Sequence, residues 1–340
     1  MMKSQESLIG IRLLTIVLLI IPAFCFAQSN FQYIAVKDNN NKWGFINEKY
    51  EIIIPFMYDD AQDFKSNSAW VKLNNEFHCI RPDNDIVFSV KFEEVFPFNE
   101  GLARFKQNNK FGFINRLGKV IVQAVYDNAS DYSEGLARVK KGGYWGFIDY
   151  NCNLVIDFNY LNASDFSDGY AVVENKHFID KKGNLLLENK KFNKVMPFSE
   201  GLAAVSVSFP YLFGYIDTSG KLIIAFQYEE ANLFSEGLAA VKAVGKTYVY
   251  INKEGKSATK YEYSVANEFR EGVALVAISI HDEKSGKILK YGYINHKGKY
   301  LFPPKTFNSA GPFRNGIARV VFNQKEVLID KHGRCIFYCQ

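Results

Sequence analysis

Apolar and polar positions along most of this chain alternate in short runs and do not recur at helical spacing. In "GLARV" (135–139), Ala137 and Val139 fall on one face and Leu136 and Arg138 on the other, the pattern of a half-buried β-strand. "WGFID" (145–149) continues as a second strand after a short connection. A turn signal follows, Asn or Asp with Gly three positions on, as in "INRLGK", "IDTSGK" and "INHKGK". The Asn or Asp side chain can bond its own backbone there, and Gly accepts the left-handed conformation that closes a type I turn with a bulge. A third strand such as "KVIVQ" or "KLIIAF" comes next. The stretch ends in "YxxAxxF", for example Tyr126, Ala129 and Tyr132, and this spacing among Asn, Asp and Ser predicts one tight helical turn.

The whole set recurs. The isoleucine of "GFI" returns at Ile46, Ile80, Ile114, Ile148, Ile179, Ile216, Ile251, Ile294 and Ile329, at intervals of 34, 34, 34, 31, 37, 35, 43 and 35 residues. A second anchor keeps step: Phe98, Tyr132, Phe166, Phe198, Phe234, Phe269 and Phe313 each open a version of "FSEGLAxV", and Phe64 opens a decayed copy, "FKSNSAWV". About nine units of roughly 34 residues therefore fill 28–340. One unit of two or three strands cannot bury its apolar face alone, so stacking against neighbours must supply the core.

The expected fold is all-β: a tandem array of short antiparallel meander or hairpin units. It can coil as an open solenoid or superhelix, or close as a β-propeller. Propeller blades have four strands and 40 or more residues, longer than these units. Closed propellers also often share a blade between the two chain ends, whereas the first unit (from Phe31) and the last (to Tyr338) look whole. The open superhelix is the favoured expectation and the propeller its alternative.

The combined "[WF]GFI[DN]xxGK…Y…A…FSEGLAxV" pattern resembles the WG repeat of many bacterial secreted and surface proteins. The resemblance covers all nine units and is strict in units three, four and six. His78, His177, Val249 and Val327 take the place of the motif Gly in units two, five, seven and nine. The resemblance implies a β-rich interaction module without a recognised catalytic centre, and it carries no ligand-binding or catalytic residue that could be transferred.

Composition agrees with strands: 30 Phe and 20 Tyr against 3 Trp and 4 Met. The net charge of +5 is scattered, which leaves no nucleic-acid footprint. Residues 1–27 read as a signal peptide, with Lys3 and Arg12 ahead of the uncharged run Leu13–Phe26 and a cleavage site at Cys25-Phe26-Ala27. The run is short for a membrane span, so no span is expected after cleavage. Bulky Phe24 argues against acylation of Cys25 in a lipoprotein. The expected location is outside the cytoplasm: secreted, periplasmic or at the cell surface. Cys79, Cys152, Cys335 and Cys339 do not form a disulfide framework, and on one straight strand Cys335 and Cys339 would lie roughly 13 Å apart, too far to bridge without a bend.

Chemistry is sparse. "GFINRLGK" (112–119) and "GYIDTSGK" (214–221) are near misses to a phosphate loop, with five residues between the glycines and no Ser or Thr after Lys. Glu100, Glu134, Asp168, Glu200, Glu236 and Glu271 recur before the Gly of "EGLA". As a ladder they could take cations or a basic partner, but bonding to backbone N–H groups of their own turns or to Lys and Arg is the favoured reading, because acid catalysis wants one differentiated pair. The five histidines match no metal spacing; His296 and His332 fall on hairpin turns and are expected to be exposed. No catalytic residue, metal or cofactor is expected. The aromatics before the motif Gly, Trp43, Phe111, Trp145, Phe213 and Tyr291, either pack between units, the favoured reading, or form an exposed stripe for sugars or a partner.

Departures from the repeat are the best functional ground, because binding concentrates on loops of a rigid scaffold. Unit eight carries about nine extra residues in "ISIHDEKSGKILKYGY" (278–293), read as an elongated hairpin, and "FPPKTFNSAGPF" (302–313) is the other irregular segment. His281, Asp282, Glu283, Lys284, Lys287 and Lys290 from the first, with Phe307 and Phe313 from the second, are the candidate partner-binding residues. The function expected is an exported, non-catalytic binding or scaffold module for a macromolecular partner, protein or glycan. The alternatives are a glycan or cell-envelope binder using exposed aromatics and, less favoured, an enzyme with its site on the unit-eight insertion.

Overall fold

The structure, a computed structural model, describes residues 33–337 except 66, 208, 210 and 283–285, and the side chains of 305 and 337 are likewise outside the description. The expected signal peptide lies outside the described residues. Contacts separate Met1–Asn30 from a second body, Phe31–Gln340, which holds every repeat. Among the described residues there is no helix, and every strand pairing is antiparallel between chain neighbours.

Unit four shows the plan. Asn128–Ser133, Leu136–Lys141, Tyr144–Ile148 and Leu154–Tyr160 form a four-stranded meander. "YxxAxxF" is therefore not a helical turn but the missing strand. Ala129 pairs with Val139 and Tyr132 with Ala137, with a register irregularity between the two pairs. The same short strand recurs at Asp60–Ala61, Glu94–Val95, Lys194–Val195, Val265–Ala266 and Ser309–Ala310. With a fourth strand recovered in most units, the main objection to a propeller falls; the sheets of units one and five keep three.

The strands assemble into eight sheets, and the body is an eight-bladed β-propeller counted by sheets. The sixth blade has six strands because Leu222–Ala231 runs unbroken, pairing back to Phe213–Asp217 and forward to Leu238–Ala243, so it carries units six and seven together. Between units one and two, three and four, and eight and nine a single residue (Asp59, Asp127, Asn308) interrupts that passage. The array closes rather than coiling open. Ile34, Val36 and Ile46 of unit one share a buried cluster with Ile317 and Leu328 of unit nine. The Tyr50 hydroxyl donates to Asp330 Oδ2 at 3.3 Å, with the Arg334 guanidinium 5.8 Å from the Tyr50 ring centre.

Each junction has its own core. Between units three and four, Leu102, Phe113 and Val122 meet Ala129, Tyr132, Ala137, Val139 and Ile148. Leu136 and Phe147 face the other way, against Phe166, Ala171, Val173 and Ile179 of unit five. The strands are thus buried on both faces, not half-buried as the alternation suggested. The two sequence anchors meet at these junctions: the "GFI" aromatic of one unit packs edge-on against the "FSEGLA" aromatic of the next. Phe45–Phe64, Phe113–Tyr132, Phe147–Phe166, Tyr215–Phe234, Tyr250–Phe269 and Tyr293–Phe313 all have centroids 4.8–5.1 Å apart. Such pairs add about 0.5–1.5 kcal/mol beyond their buried area. Unit two has Cys79 at that position, and Trp70 stacks on Phe98 at 5.4 Å instead.

The motif Gly is needed for close approach. A Cβ on Gly44, Gly112, Gly146, Gly214 or Gly292 would lie 2.3–2.7 Å from a carbonyl oxygen of the following strand. The hairpin turns form as expected: Asp217 Oδ1 accepts the N–H groups of Ser219 and Lys221, and Gly220 sits at φ 79°. In unit four Cys152 takes the Gly place, at φ 67°. Cys335 is disulfide-bonded, and its partner is neither Cys79 nor Cys152, both free thiols.

Candidate functional site

The carboxylate ladder is built from the turns that open each "EGLA" strand. Ser199 and Leu202 exchange both backbone hydrogen bonds around Glu200 (φ 54°) and Gly201 (φ 84°), the two left-handed residues of a type I′ hairpin. A Glu held left-handed is strained, and its side chain shows what it does there. Glu100 accepts the N–H groups of Glu134 and Gly135 at 2.9 and 3.0 Å, Glu134 that of Gly169 at 2.9 Å, and Asp168 that of Gly201 at 2.6 Å. Glu200, Glu236 and Glu271 do the same toward Gly237, Gly272 and Gly316. The backbone bonds therefore run to the next unit's turn, not to the residue's own. Lys181, Lys253 and Lys331 lie 3.1–3.2 Å from Glu134, Glu200 and Glu271, and Tyr150 donates to Glu100 at 2.7 Å. The ladder is an inter-unit strap, each acid tying its own turn to the turn of the following unit.

Electrostatics agree. Burial pushes the Glu271 carboxyl up, but the Gly316 N–H, Lys331 and the Asn315 N–H outweigh it and hold the group below its ordinary range. Burial and then the Glu100 contact push the Tyr150 hydroxyl up to about 12. His296 is exposed, as its turn position suggested, and it stacks on Phe269 at 4.7 Å with Nε2 2.8 Å from Glu236. The phosphate-loop near misses are ordinary turns: Asn115 Oδ1 accepts from Leu117 and Lys119, as Asp217 does from its own turn.

The motif aromatics are neither fully buried nor a free stripe. Trp43, Phe111, Trp145, Phe213 and Tyr291 are half-buried. Cations cover several of them: Arg138 lies 4.4 Å and Lys140 5.6 Å from the Trp145 ring centre, and Lys37 lies 5.8 Å from that of Trp43. Arg138 also reaches into unit five, bonding Asp165 Oδ1 at 3.1 Å and the Ala163 carbonyl.

The elongated hairpin is present. Val273–Asp282 and Gly286–Asn295 are ten residues each, paired from Val273↔Asn295 out to Asp282↔Gly286. His281 and Lys287 are exposed cross-strand partners near its end, and Asp282 and Lys290 are half-buried beside them. Glu283 and Lys284 lie outside the described residues. Phe307 and Phe313 do not join this group. Both are buried in the junction of units eight and nine with Tyr293 and Ala318, because they are the repeat's own aromatic anchors, so they are withdrawn as contact residues.

Closure creates a further site. A cavity of about 840 Å³ is lined by units one, two, three, eight and nine, with Lys65, Arg270, Arg314 and Arg319 in its wall beside Gln62, Asp63 and Trp43. A signal for it exists in the repeat. At the position after the junction aromatic, Asn99, Ser133, Ser199 and Ser235 each donate to a backbone carbonyl of the next unit at 2.7 Å. Lys65, Arg270 and Arg314 replace them in the very units that closure brings together. Cations confined to one sector would have pointed to the site had closure been assumed.

No curated protein matches this chain. Among solved structures it is similar to the computationally designed Ika8 protein (TM-score 0.45, 11% identity, covering 81% of this chain and 93% of that one). It is also similar to BamB from Moraxella catarrhalis (TM-score 0.45, 10% identity, 81% and 91%) and to apo AztD from Citrobacter koseri (TM-score 0.40, 11% identity, 79% and 92%). A family model described as "WG containing repeat" matches 43–77, 79–111, 111–145, 145–176, 178–208, 213–248, 250–278 and 291–325. These eight stretches cover most of the chain, and the first, Trp43 to Phe77, begins in one unit and ends in the next. The chain belongs to the WG-containing repeat family.

Proposed function

We propose that this chain is a non-catalytic binding module, exported from the cell, that holds a protein partner through the projecting hairpin of unit eight. The observation that carries the reading is the hairpin itself. Its two ten-residue strands extend a unit whose counterpart in unit four has strands of six and five residues, and its outer end carries the exposed pair His281 and Lys287. The repeated acids, by contrast, are consumed between units, so no differentiated acid–base pair is left among them. Export is supported by the apolar run Leu13–Phe26 behind Lys3 and Arg12, and by the disulfide at Cys335, which suits an oxidising compartment.

The test replaces residues 279–289 by a two-residue turn. The shortened protein is expected to keep the thermal transition of the wild type and to lose the protein that the wild type retains from envelope extracts. Retention of the same partner by the shortened form would refute the hairpin reading. A turnover abolished by one substitution would refute the non-catalytic one.

A further inference from the structure

We propose that the closure cavity binds a carboxylate-bearing saccharide, a uronic acid unit, with its anionic group held by Arg270, Arg314 and Lys65. Three observations on different residues converge on this chemistry, and none depends on the unit-eight hairpin.

The first is charge placement. The position after the junction aromatic has a fixed structural task in units three, four, six and seven, where a short Asn or Ser ties one unit to the next. Long cations take that position in units two, eight and nine, and all three line one cavity; of them Lys65 still ties its unit to the next, donating Nζ to Asn99 Oδ1 at 2.9 Å. Arg270 and Arg314 are exposed, and a guanidinium offers a planar fork that matches a carboxylate. The two acids of the wall, Asp63 and Glu271, are outnumbered by its four cations. Glu271 is taken by Asn315 N–H at 2.6 Å, Gly316 N–H at 2.8 Å and Lys331. Asp63 accepts the Ala35 N–H at 2.8 Å, and burial raises its carboxyl against the opposing effects of that N–H and of Arg314. Among the described residues Arg270 has one exposed ion pair, with Glu268 at 3.2 Å, the kind of contact a ligand displaces at little cost.

The second observation selects a ligand that also donates hydrogen bonds. Gln62 gives its amide N–H to the Val95 carbonyl at 2.9 Å, which fixes the orientation of the amide, and its Oε1 is buried without a partner among the described residues. A buried acceptor left unpaired costs roughly 1–3 kcal/mol. Inorganic phosphate near neutral pH offers one or two O–H donors on a single centre, whereas a sugar ring carries several hydroxyls spaced away from its carboxylate.

The third is the half-buried Trp43 ring in the same wall, a surface of the kind on which the C–H face of a pyranose packs. A cavity of about 840 Å³ is within the usual range for small-ligand sites and has room for more than one sugar ring.

The test is isothermal titration of the full exported chain with trigalacturonic acid, its neutral methyl ester and inorganic phosphate. The acid is expected to bind, the ester to bind at least about tenfold more weakly, and phosphate to bind more weakly than the acid. Arg270→Ala/Arg314→Ala, and separately Lys65→Met, are expected to weaken the acid by roughly tenfold or more while thermal unfolding stays in place. No binding of the acid, equal binding of the ester, phosphate binding as tight as the acid, or wild-type affinity in both folded variants would each overturn the proposal.

Discussion

At the scale of single residues, the motif Gly decides the register of its hairpin. Trp145 and Phe147 are two residues apart, yet their partners Tyr160 and Ile156 are four apart, so the fourth strand bulges where it crosses Gly146. A side chain there would collide with the Ile156 carbonyl 2.7 Å away. Unit two is the natural control. With His78 in that place, Phe77 and Cys79 pair with Val90 and Phe88 without any bulge. Gly146→Ala is therefore expected to destabilise the protein by about 1–3 kcal/mol, the usual penalty of overpacking. His78→Gly should cost less, because no close carbonyl approach depends on it. Urea unfolding followed by tryptophan emission measures both, and a neutral Gly146→Ala would mean that the bulge does not depend on glycine. Phe166→Ala, which empties the edge-on contact with Phe147, is expected to cost about 3–5 kcal/mol in the same assay.

At the scale of elements, much of each unit was legible because strand alternation and Asx-Gly turns are local signals. The fourth strand was not. "YxxAxxF" has the spacing of a helical turn, but its Ala pairs across to the next strand and its aromatic crosses to the preceding unit, and neither partner lies within the motif itself. The ladder was half legible: backbone N–H groups as partners were expected, but those of the following unit require stacking to be known. Its electrostatics give a pH prediction. Glu100 and Glu271, where burial raises the carboxyl but the turn contacts prevail, lie below the ordinary 4.5. Asp217, held down first by the Ser219 hydroxyl, and Asp149, held down first by Asn153, lie below the ordinary 3.8. Lowered folded-state values stabilise fully above the ordinary values and lose that contribution as pH falls through the lower ones. Asp63, raised by burial, acts in the opposite sense, but it is one group against four. The urea midpoint is expected to stay level from neutral pH down to about 5 and to fall below about 4. A midpoint that rose on acidification would show that the straps do not stabilise the fold.

At the scale of the whole molecule, closure converts a repeating chain into an object with one distinctive sector. The sequence argument against a propeller rested on strand count and on two whole-looking end units, and the hidden strand answers the first. For the second, unit one and unit nine each keep their own sheet and meet through side chains, with Ile34 and Val36 against Ile317 and Leu328. No strand has to be shared for that. The closure cavity was invisible in the sequence for the same reason: Lys65 and Arg314 are 249 positions apart and become neighbours in one wall only when the ring shuts. The most direct measurement of closure is intramolecular lysine cross-linking of the dilute monomeric protein, read by mass spectrometry. Lys49 and Lys331 flank the Tyr50–Asp330 contact, so a closed ring predicts a Lys49–Lys331 link within one chain. Absence of that link, while links between consecutive units form normally, would contradict it.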